Sequence, residues 1–165
     1  MGGGRATRSS GTPATAALAR AGVPFTVHEY LHDPAVTDFG QEAVRALGVP
    51  AERVFKTLLV QGAAGLAVAI VPVPARLDLK AAAAALGTKR LELAEPAIAE
   101  RRTGYVVGGI SPIGQRHAHP TVLDDSALEH ATVFVSGGRR GMDVELAPGD
   151  LLAVTGATTA RLRSV

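Results

Sequence analysis

Val54-Phe55-Lys56-Thr57-Leu58-Leu59-Val60 is a run of seven residues near the middle of the chain, and five of the seven are apolar. A short apolar run with β-branched and aromatic side chains predicts a buried strand. Because successive side chains point to opposite faces of a strand, Lys56 shares a face with Val54, Leu58 and Val60. An unpaired ammonium group is costly in an apolar interior, which makes Lys56 a candidate functional residue. The alternative is a strand-end lysine with a buried stem and a solvated head.

A second informative stretch spans residues 104–114, where a hydrophobic run gives way to Gly108-Gly109, then to Ser111-Pro112 and a further glycine. Adjacent glycines permit positive φ angles and close approach of the backbone. They can therefore direct bare N–H groups at an anionic oxygen, as an oxyanion hole does. A glycine-rich turn that only connects two elements is the alternative.

The composition excludes several classes of protein. The 165 residues fit one domain with a substantial core. The chain has no cysteine, which excludes disulfides, thiolate metal sites and a cysteine nucleophile. It has no run of eighteen apolar residues and no secretory signal, so we expect a cytoplasmic protein without a membrane span. We expect residues 1–11 to be a disordered leader and residues 12–165 to be the folded domain.

The charge and aromatic content bear on possible partners. A formal net charge of +2 permits contacts with phosphate groups without demanding a nucleic-acid partner. Aromatic residues make up 4% of the chain, which argues against a protein that stacks many single-stranded bases.

Helix caps, turn residues and apolar runs predict an irregular mixture of elements. The predicted helices span residues 13–21, 41–47, 79–86, 96–102 and 150–153. The predicted strands span residues 23–30, 54–60, 66–73, 89–93, 121–123, 131–136 and 142–146. At least two pairs of consecutive strands form hairpins. This order of elements predicts an α+β fold around a mixed sheet.

Four segments of the chain together resemble the YbaK/EbsC family. They are residues 28–34 (HEYLHDP), 55–60 (FKTLLV), 103–115 (TGYVVGGISPIGQ) and 135–146 (VSGGRRGMDVEL). The family comprises free-standing relatives of the editing domain that is inserted in bacterial prolyl-tRNA synthetases. The resemblance implies a compact single α+β domain with a mixed, barrel-like sheet flanked by helices, and hydrolytic editing of mischarged tRNA.

The same resemblance implies roles for eight residues. Lys56 falls at the family's functional lysine, where it would meet the charged end of the substrate. Gly108 and Gly109 fall in a Gly-Gly-x-x-Pro turn whose backbone would surround the aminoacyl ester. The residues implied to bind substrate are Tyr30, Thr57, Ser111, Pro112 and Asp143. For Asp143 a solvated strand face is the alternative, because alternation places it with Glu145.

Other groups of residues give weaker indications of a functional site. His28 and His32 flank Glu29, but the sequence offers no convincing third ligand, so we predict no metal site. The sequence contains no nucleophile elbow, phosphate-binding loop or dinucleotide fingerprint, and we predict no cofactor. One departure from the family pattern is residues 116–119 (RHAH), where the family often carries lysines. Phosphate contacts at this position would depend on pH.

The resemblance implies a trans-acting deacylase that removes cysteine from mischarged Cys-tRNA(Pro). Because the chain has no cysteine and no evident general base, the nucleophile is either water or a group on the substrate. The resemblance favours the second case, in which the cysteinyl thiol attacks its own ester carbonyl. The alternatives are a deacylase that uses water on another small residue such as alanine, and a non-catalytic module that binds tRNA or nucleotide. The tRNA identity, the oligomeric state and a standing complex with prolyl-tRNA synthetase stay open.

Overall fold

Strand β2 (Phe55–Gly62) forms the predicted central strand and pairs with a neighbour along each edge. In the computed structural model, which describes residues 11–164, β2 runs antiparallel to β3 (Gly65–Pro72) and to the short strand β4 (Glu92–Leu93). The prediction included Val54 in β2, whereas the structure places Val54 just before the strand. The predicted leader lies outside the described residues except for Gly11, which is exposed.

Parallel pairings extend this sheet beyond β3. Strand β3 pairs in parallel with β5 (Thr121–Asp124), and β5 pairs in parallel with β8 (Thr158–Ala160). The sheet therefore has five strands in the order β4-β2-β3-β5-β8 and combines both directions of pairing. The predicted α+β fold with a mixed sheet is confirmed, although β8 has no counterpart among the predicted strands.

A second sheet contains three antiparallel strands in the order β1-β7-β6. They are β1 (Thr26–Glu29), β6 (Val133–Arg139) and β7 (Met142–Leu146). An isolated parallel bridge between Val54 and Phe134 connects this sheet to the larger one. The bridge brings the beginning of β2, and with it Lys56, beside the second sheet.

The α-helices are α1 (Pro13–Ala21), α2 (Phe39–Leu47), α3 (Leu79–Leu86), α4 (Pro96–Thr103) and α5 (Pro148–Thr155). Helix α3 has the predicted ends, because the carboxylate of Asp78 caps its first turn and Gly87 ends it in the left-handed conformation. Helix α2 begins two residues earlier than predicted, because Asp38 is its cap. Two short 3-10 helices span Ala51–Arg53 and Asp125–Glu129.

The core lies on both faces of the larger sheet, and alternation along β3 divides it. Val68 and Ile70 belong to the main cluster, together with side chains of the second sheet and of helices α1 and α5. Ala69 and Val71 point to the opposite face and pack in a cluster with residues of α3. No helix within residues 11–164 has the length and hydrophobicity that a membrane span requires.

Candidate active site

A cavity of about 610 Å³ opens where the beginning of β2, the N-terminal end of α2 and the irregular segment after α4 meet. This volume lies in the range of small-ligand sites in proteins. The predicted site residues that line the cavity are Tyr30, Lys56, Thr57, Gly108 and Asp143. The fold therefore brings together residues from all four of the sequence segments 28–34, 55–60, 103–115 and 135–146.

Lys56 is half-buried at the second position of β2. Among the residues that the structure describes, none forms a hydrogen bond or an ion pair with its ammonium group. Burial holds the pKa of Lys56 below its usual value, and the negative charge of Asp38 opposes this shift in part. Lys56 thus brings an unpaired positive charge to the cavity, which an anionic or polarised oxygen of a ligand can accept.

Asp143 is buried with 6% of its surface exposed, so the alternative of a solvated strand face is wrong for this residue. It lies in the middle strand of the second sheet, opposite His28 on β1 and Ser136 on β6. Burial raises the pKa of Asp143 to about 7. Within residues 11–164 no group donates a hydrogen bond to its carboxyl, which leaves both oxygens available to a ligand.

Tyr30 and Thr57 bring hydroxyl groups to the same cavity. The backbone N–H of Tyr30 donates to the carbonyl oxygen of Gly141 at 2.9 Å, which fixes the residue beside the second sheet. Burial raises the pKa of the Tyr30 phenol, and the carboxylates of Asp143 and Glu42 raise it further. The Thr57 hydroxyl is buried without a hydrogen-bond partner among the described residues. A buried hydroxyl group without a hydrogen-bond partner costs free energy, so a ligand that formed a hydrogen bond to Thr57 would remove this desolvation penalty.

The two glycines of the predicted turn differ in their surroundings. Gly108 lines the cavity with φ +90°, and a Cβ atom at this position would lie 2.7 Å from ring carbons of Phe39. Gly109 does not line the cavity, and its N–H donates to the carbonyl oxygen of Val106 at 2.8 Å. Only the Gly108 amide, which has no partner among the described residues, is therefore free to meet an oxyanion.

Ser111 and Pro112 are buried and do not line the cavity. The Ser111 hydroxyl accepts a hydrogen bond from the N–H of Ile113 at 3.2 Å. The structure thus places these two predicted substrate-binding residues inside the loop that supports Gly108, without contact to the cavity.

Five polar or aromatic residues that line the cavity were missing from the predicted site residues, namely Thr37, Asp38, Phe39, Phe55 and Ser136. Ser136 pairs with Asp143 across the β6–β7 hairpin, beyond an irregularity that shifts the strand register between Ser136 and Arg139. Asp38 and Phe39 begin helix α2, and their position in the cavity depends on how that helix packs, which no local pattern indicates.

The histidines considered for a metal site bind carboxylates instead. A ring nitrogen of His28 lies 2.9 Å from Glu145, and one of His32 lies 2.6 Å from Glu42. Among residues 11–164, no group of three histidine, aspartate or glutamate side chains is arranged to hold a metal ion.

Comparison with known proteins adds independent findings. Residues 33–154 match the family model described as the aminoacyl-tRNA editing domain. The chain is 39% identical over 123 residues to EbsC of Enterococcus faecalis, a protein assigned as a Cys-tRNA(Pro)/Cys-tRNA(Cys) deacylase, and the match covers 74% of this chain and 75% of EbsC. Over 112 residues it is 28% identical to the proline–tRNA ligase of Thermosipho melanesiensis, covering 68% of this chain but 19% of the ligase.

A solved structure supports the same relationship. The crystal structure of a protein assigned as a trans-editing enzyme for prolyl-tRNA synthetase superposes on this chain with a TM-score of 0.82 and 31% sequence identity. The superposition covers 93% of this chain and 96% of the other protein. The shared fold thus extends over nearly the whole of both chains.

Proposed function

Because the chain belongs to the aminoacyl-tRNA editing domain family and is an aminoacyl-tRNA deacylase, we propose that its substrate is tRNA(Pro) mischarged with cysteine. One observation carries the proposal: within residues 11–164, the cavity combines an unpaired lysine, a free backbone amide and a buried carboxyl group, and no cysteine or histidine lines it. Such a site is suited to hold an activated ester and to stabilise charge, while the attacking group comes from elsewhere.

Each charged part of an aminoacyl ester has a suitable partner in the cavity. We assign the α-ammonium group of the substrate to Asp143, whose carboxyl has no other partner within residues 11–164. The negative charge that develops on the carbonyl oxygen is assigned to the Lys56 ammonium and the Gly108 N–H. Donors that are already oriented in a partly desolvated site stabilise a developing charge more strongly than water does. Thr57 and Tyr30 supply hydroxyl groups that orient the substrate.

The substrate itself supplies the nucleophile in this proposal. The cysteinyl sulfur attacks the ester carbonyl, a carbon–sulfur bond forms, and the bond between that carbon and the terminal ribose oxygen breaks. The thiol proton ends on the released ribose hydroxyl, so the products are free tRNA and a four-membered cyclic thiolactone. Water then opens the thiolactone to cysteine. Intramolecular attack gains from proximity, because no second reactant must be captured and oriented.

The reactivity of the aminoacyl side chain, more than its fit to the pocket, distinguishes cysteine from similar residues as a substrate. A small pocket discriminates between substrates that differ by one small group by only about 10–200-fold. A thiol ionises near pH ~8.5, whereas the serine hydroxyl stays protonated and alanine has no nucleophile at all. A site that only stabilises charge therefore releases cysteine fastest.

The editing-domain family acts on mischarged aminoacyl-tRNA and is related to prolyl-tRNA synthetase. We propose the synthetase as the source of the substrate and as a partner of this protein. Adding catalytically inactive synthetase to a deacylation assay at limiting Cys-tRNA(Pro) should raise the rate if the two proteins form a complex with the tRNA. An unchanged rate would indicate that this protein acts alone on free tRNA.

The proposal is tested by measuring deacylation of one tRNA(Pro) charged in turn with cysteine, serine, alanine and proline. We expect rapid release of cysteine, much slower release of serine and alanine, and no release of proline above the spontaneous rate. Faster release of alanine would instead indicate an alanine-specific editing enzyme. Binding of all four without turnover would indicate a non-catalytic tRNA-binding protein.

A further inference from the structure

Arg140 lies at the tip of the β6–β7 hairpin and contacts two walls of the cavity with one side chain. Its Nε–H donates to the carbonyl oxygen of Val107 at 2.9 Å. The central carbon of its guanidinium group lies over the ring of Phe39, 4.8 Å from the ring centroid. This distance is typical of a cation–π contact. Val107 and Phe39 both line the cavity, whereas Arg140 does not.

Both contacts converge on Gly108. The Phe39 ring is packed so closely on Gly108 that a Cβ atom there would lie 2.7 Å from ring carbons. On the other side, Val107 is covalently joined to Gly108, and the carbonyl oxygen that Arg140 holds belongs to their shared peptide group. The orientation of the Gly108 N–H is therefore set by the two groups that Arg140 touches.

The backbone of the hairpin supports the same loop. A Cβ atom at Gly109 would lie 2.7 Å from backbone atoms of Arg139 and 2.8 Å from the backbone nitrogen of Arg140. The loop and the hairpin tip are thus in direct backbone contact, with no space for a side chain between them. Arg140 reaches across this contact to Phe39 at the beginning of helix α2, so that it links hairpin, loop and helix.

We propose that Arg140 is a positioning residue of the deacylation site, which fixes the Phe39 ring and the Val107–Gly108 peptide and thereby aims the Gly108 amide at the ester oxygen. This inference rests on the proposed deacylation. It requires a guanidinium group in particular, because only the planar fork can donate through Nε while its face lies on an aromatic ring. A lysine at this position keeps the positive charge, but it cannot donate the hydrogen bond to Val107 while a planar face lies on the Phe39 ring.

The first test needs no catalytic activity. The amides of Val107 and Gly109 are both hydrogen-bonded, to Glu100 and to Val106, so their hydrogen exchange reports opening of the loop. Exchange at these two amides should be faster in Arg140→Lys and in Arg140→Met, and unchanged in Arg139→Lys. Arg139 is the matched control, because its side chain is exposed like that of Arg140 but pairs with Glu29 instead of the cavity wall. Unchanged exchange in both Arg140 variants would overturn the proposal.

The second test measures kcat and KM on Cys-tRNA(Pro). Loss of one hydrogen bond and one cation–π contact should lower kcat about tenfold in Arg140→Lys and in Arg140→Met, with KM nearly unchanged. If Arg140 acts through Phe39, the double variant Arg140→Met/Phe39→Leu should be no slower than the slower of its two parents. Multiplying effects would show that Arg140 and Phe39 act independently and would overturn the positioning role. A Lys variant with normal kcat and a KM that rises with salt would indicate a phosphate contact and would also overturn it.

The two tests separate the inference from the function on which it rests. A wild-type protein that does not release cysteine from tRNA(Pro) refutes the proposed function, while the exchange experiment still decides whether Arg140 holds the loop. Thermal unfolding of each variant should be measured as well, and we expect these substitutions of exposed arginines to leave the fold intact.

Discussion

The phenol of Tyr105 donates a hydrogen bond to the carbonyl oxygen of Ile113, and the two oxygen atoms are 2.6 Å apart. Both residues are buried, with 4% and 1% of their surfaces exposed. The bond closes the segment between α4 and β5, which contains no strand of its own and carries Gly108. Irregular segments of this length are often functional, and this one is held by a few specific bonds instead of a sheet.

Tyr105→Phe should therefore destabilise the protein, because the Ile113 carbonyl loses a short, buried hydrogen bond. Leaving a buried acceptor unsatisfied costs about 1–3 kcal/mol. Urea unfolding should show a lower midpoint with an unchanged m-value. Tyr30→Phe is the matched control for stability, since the Tyr30 phenol has no hydrogen-bond partner among the described residues. Equal midpoints for wild type and Tyr105→Phe would show that the bond contributes nothing.

Lys56→Ala should abolish most of the activity without harming the fold. Removing a donor that stabilises a developing oxyanion typically lowers kcat about 10²–10³-fold. The unfolding free energy should stay the same or rise slightly, because a half-buried ammonium without an ion pair is costly. Lys80→Ala is the control, since Lys80 is an exposed lysine on α3. Wild-type turnover in Lys56→Ala would remove Lys56 from the site.

Asp143→Asn should change how stability depends on pH. Burial raises the folded-state pKa of Asp143 to about 7, well above the usual aspartate value of about 4, so the folded protein keeps a proton that the unfolded chain has lost. The wild type therefore loses stability, by on the order of a few kcal/mol, as the pH rises from about 4 to about 7. The asparagine side chain cannot ionise, so the variant does not lose stability in this way as the pH rises.

Thermal unfolding of wild type and Asp143→Asn at pH 5 and pH 8 measures the effect directly. The variant should exceed the wild type in melting temperature by a larger margin at pH 8 than at pH 5. A margin that is the same at both values would show that Asp143 does not titrate in this range.

Gly109→Ala should destabilise the protein because of close packing. A methyl group at this position would lie 2.7 Å from backbone atoms of Arg139, and backbone cannot move aside as a flexible side chain can. Gly149→Ala is the control, since a Cβ atom at Gly149 meets nothing within 4 Å and the residue is in helix α5. The control should melt slightly higher than wild type, by the usual helical preference for alanine over glycine. A Gly109→Ala variant that melts with the wild type would contradict this packing.

Local signals in the sequence determined much of the fold. The ends of α3 were predicted to the residue, because Asp78 and Gly87 act on the turns next to them. Strand β8 could not be predicted in the same way. It has three residues and pairs in parallel with β5, which lies more than thirty residues earlier in the chain. The resemblance to the YbaK/EbsC family is confirmed by the match of residues 33–154 to the editing-domain model and by the likeness to EbsC.

The candidate site was predicted in part, and the gaps have physical causes. Motifs indicated Lys56 and Asp143. No motif shows, however, that the Gly109 N–H donates a hydrogen bond within its own turn, to the carbonyl oxygen of Val106. Ser136 was missed because of a bulge in the β6–β7 hairpin. Counting from the pair formed by Arg139 and Met142 would place residue 138 opposite Asp143, whereas the register shift puts Ser136 there.

The measurement that tests the account most directly is deacylation of Cys-tRNA(Pro) with its substrate thiol free or alkylated. The account predicts that the free thiol gives rapid release with a cyclic thiolactone as the first product. The alkylated substrate should still bind, but its release should fall to the spontaneous rate, because nothing in the cavity replaces the missing nucleophile. Equal release rates from the two substrates would contradict substrate-assisted attack and assign the reaction to water.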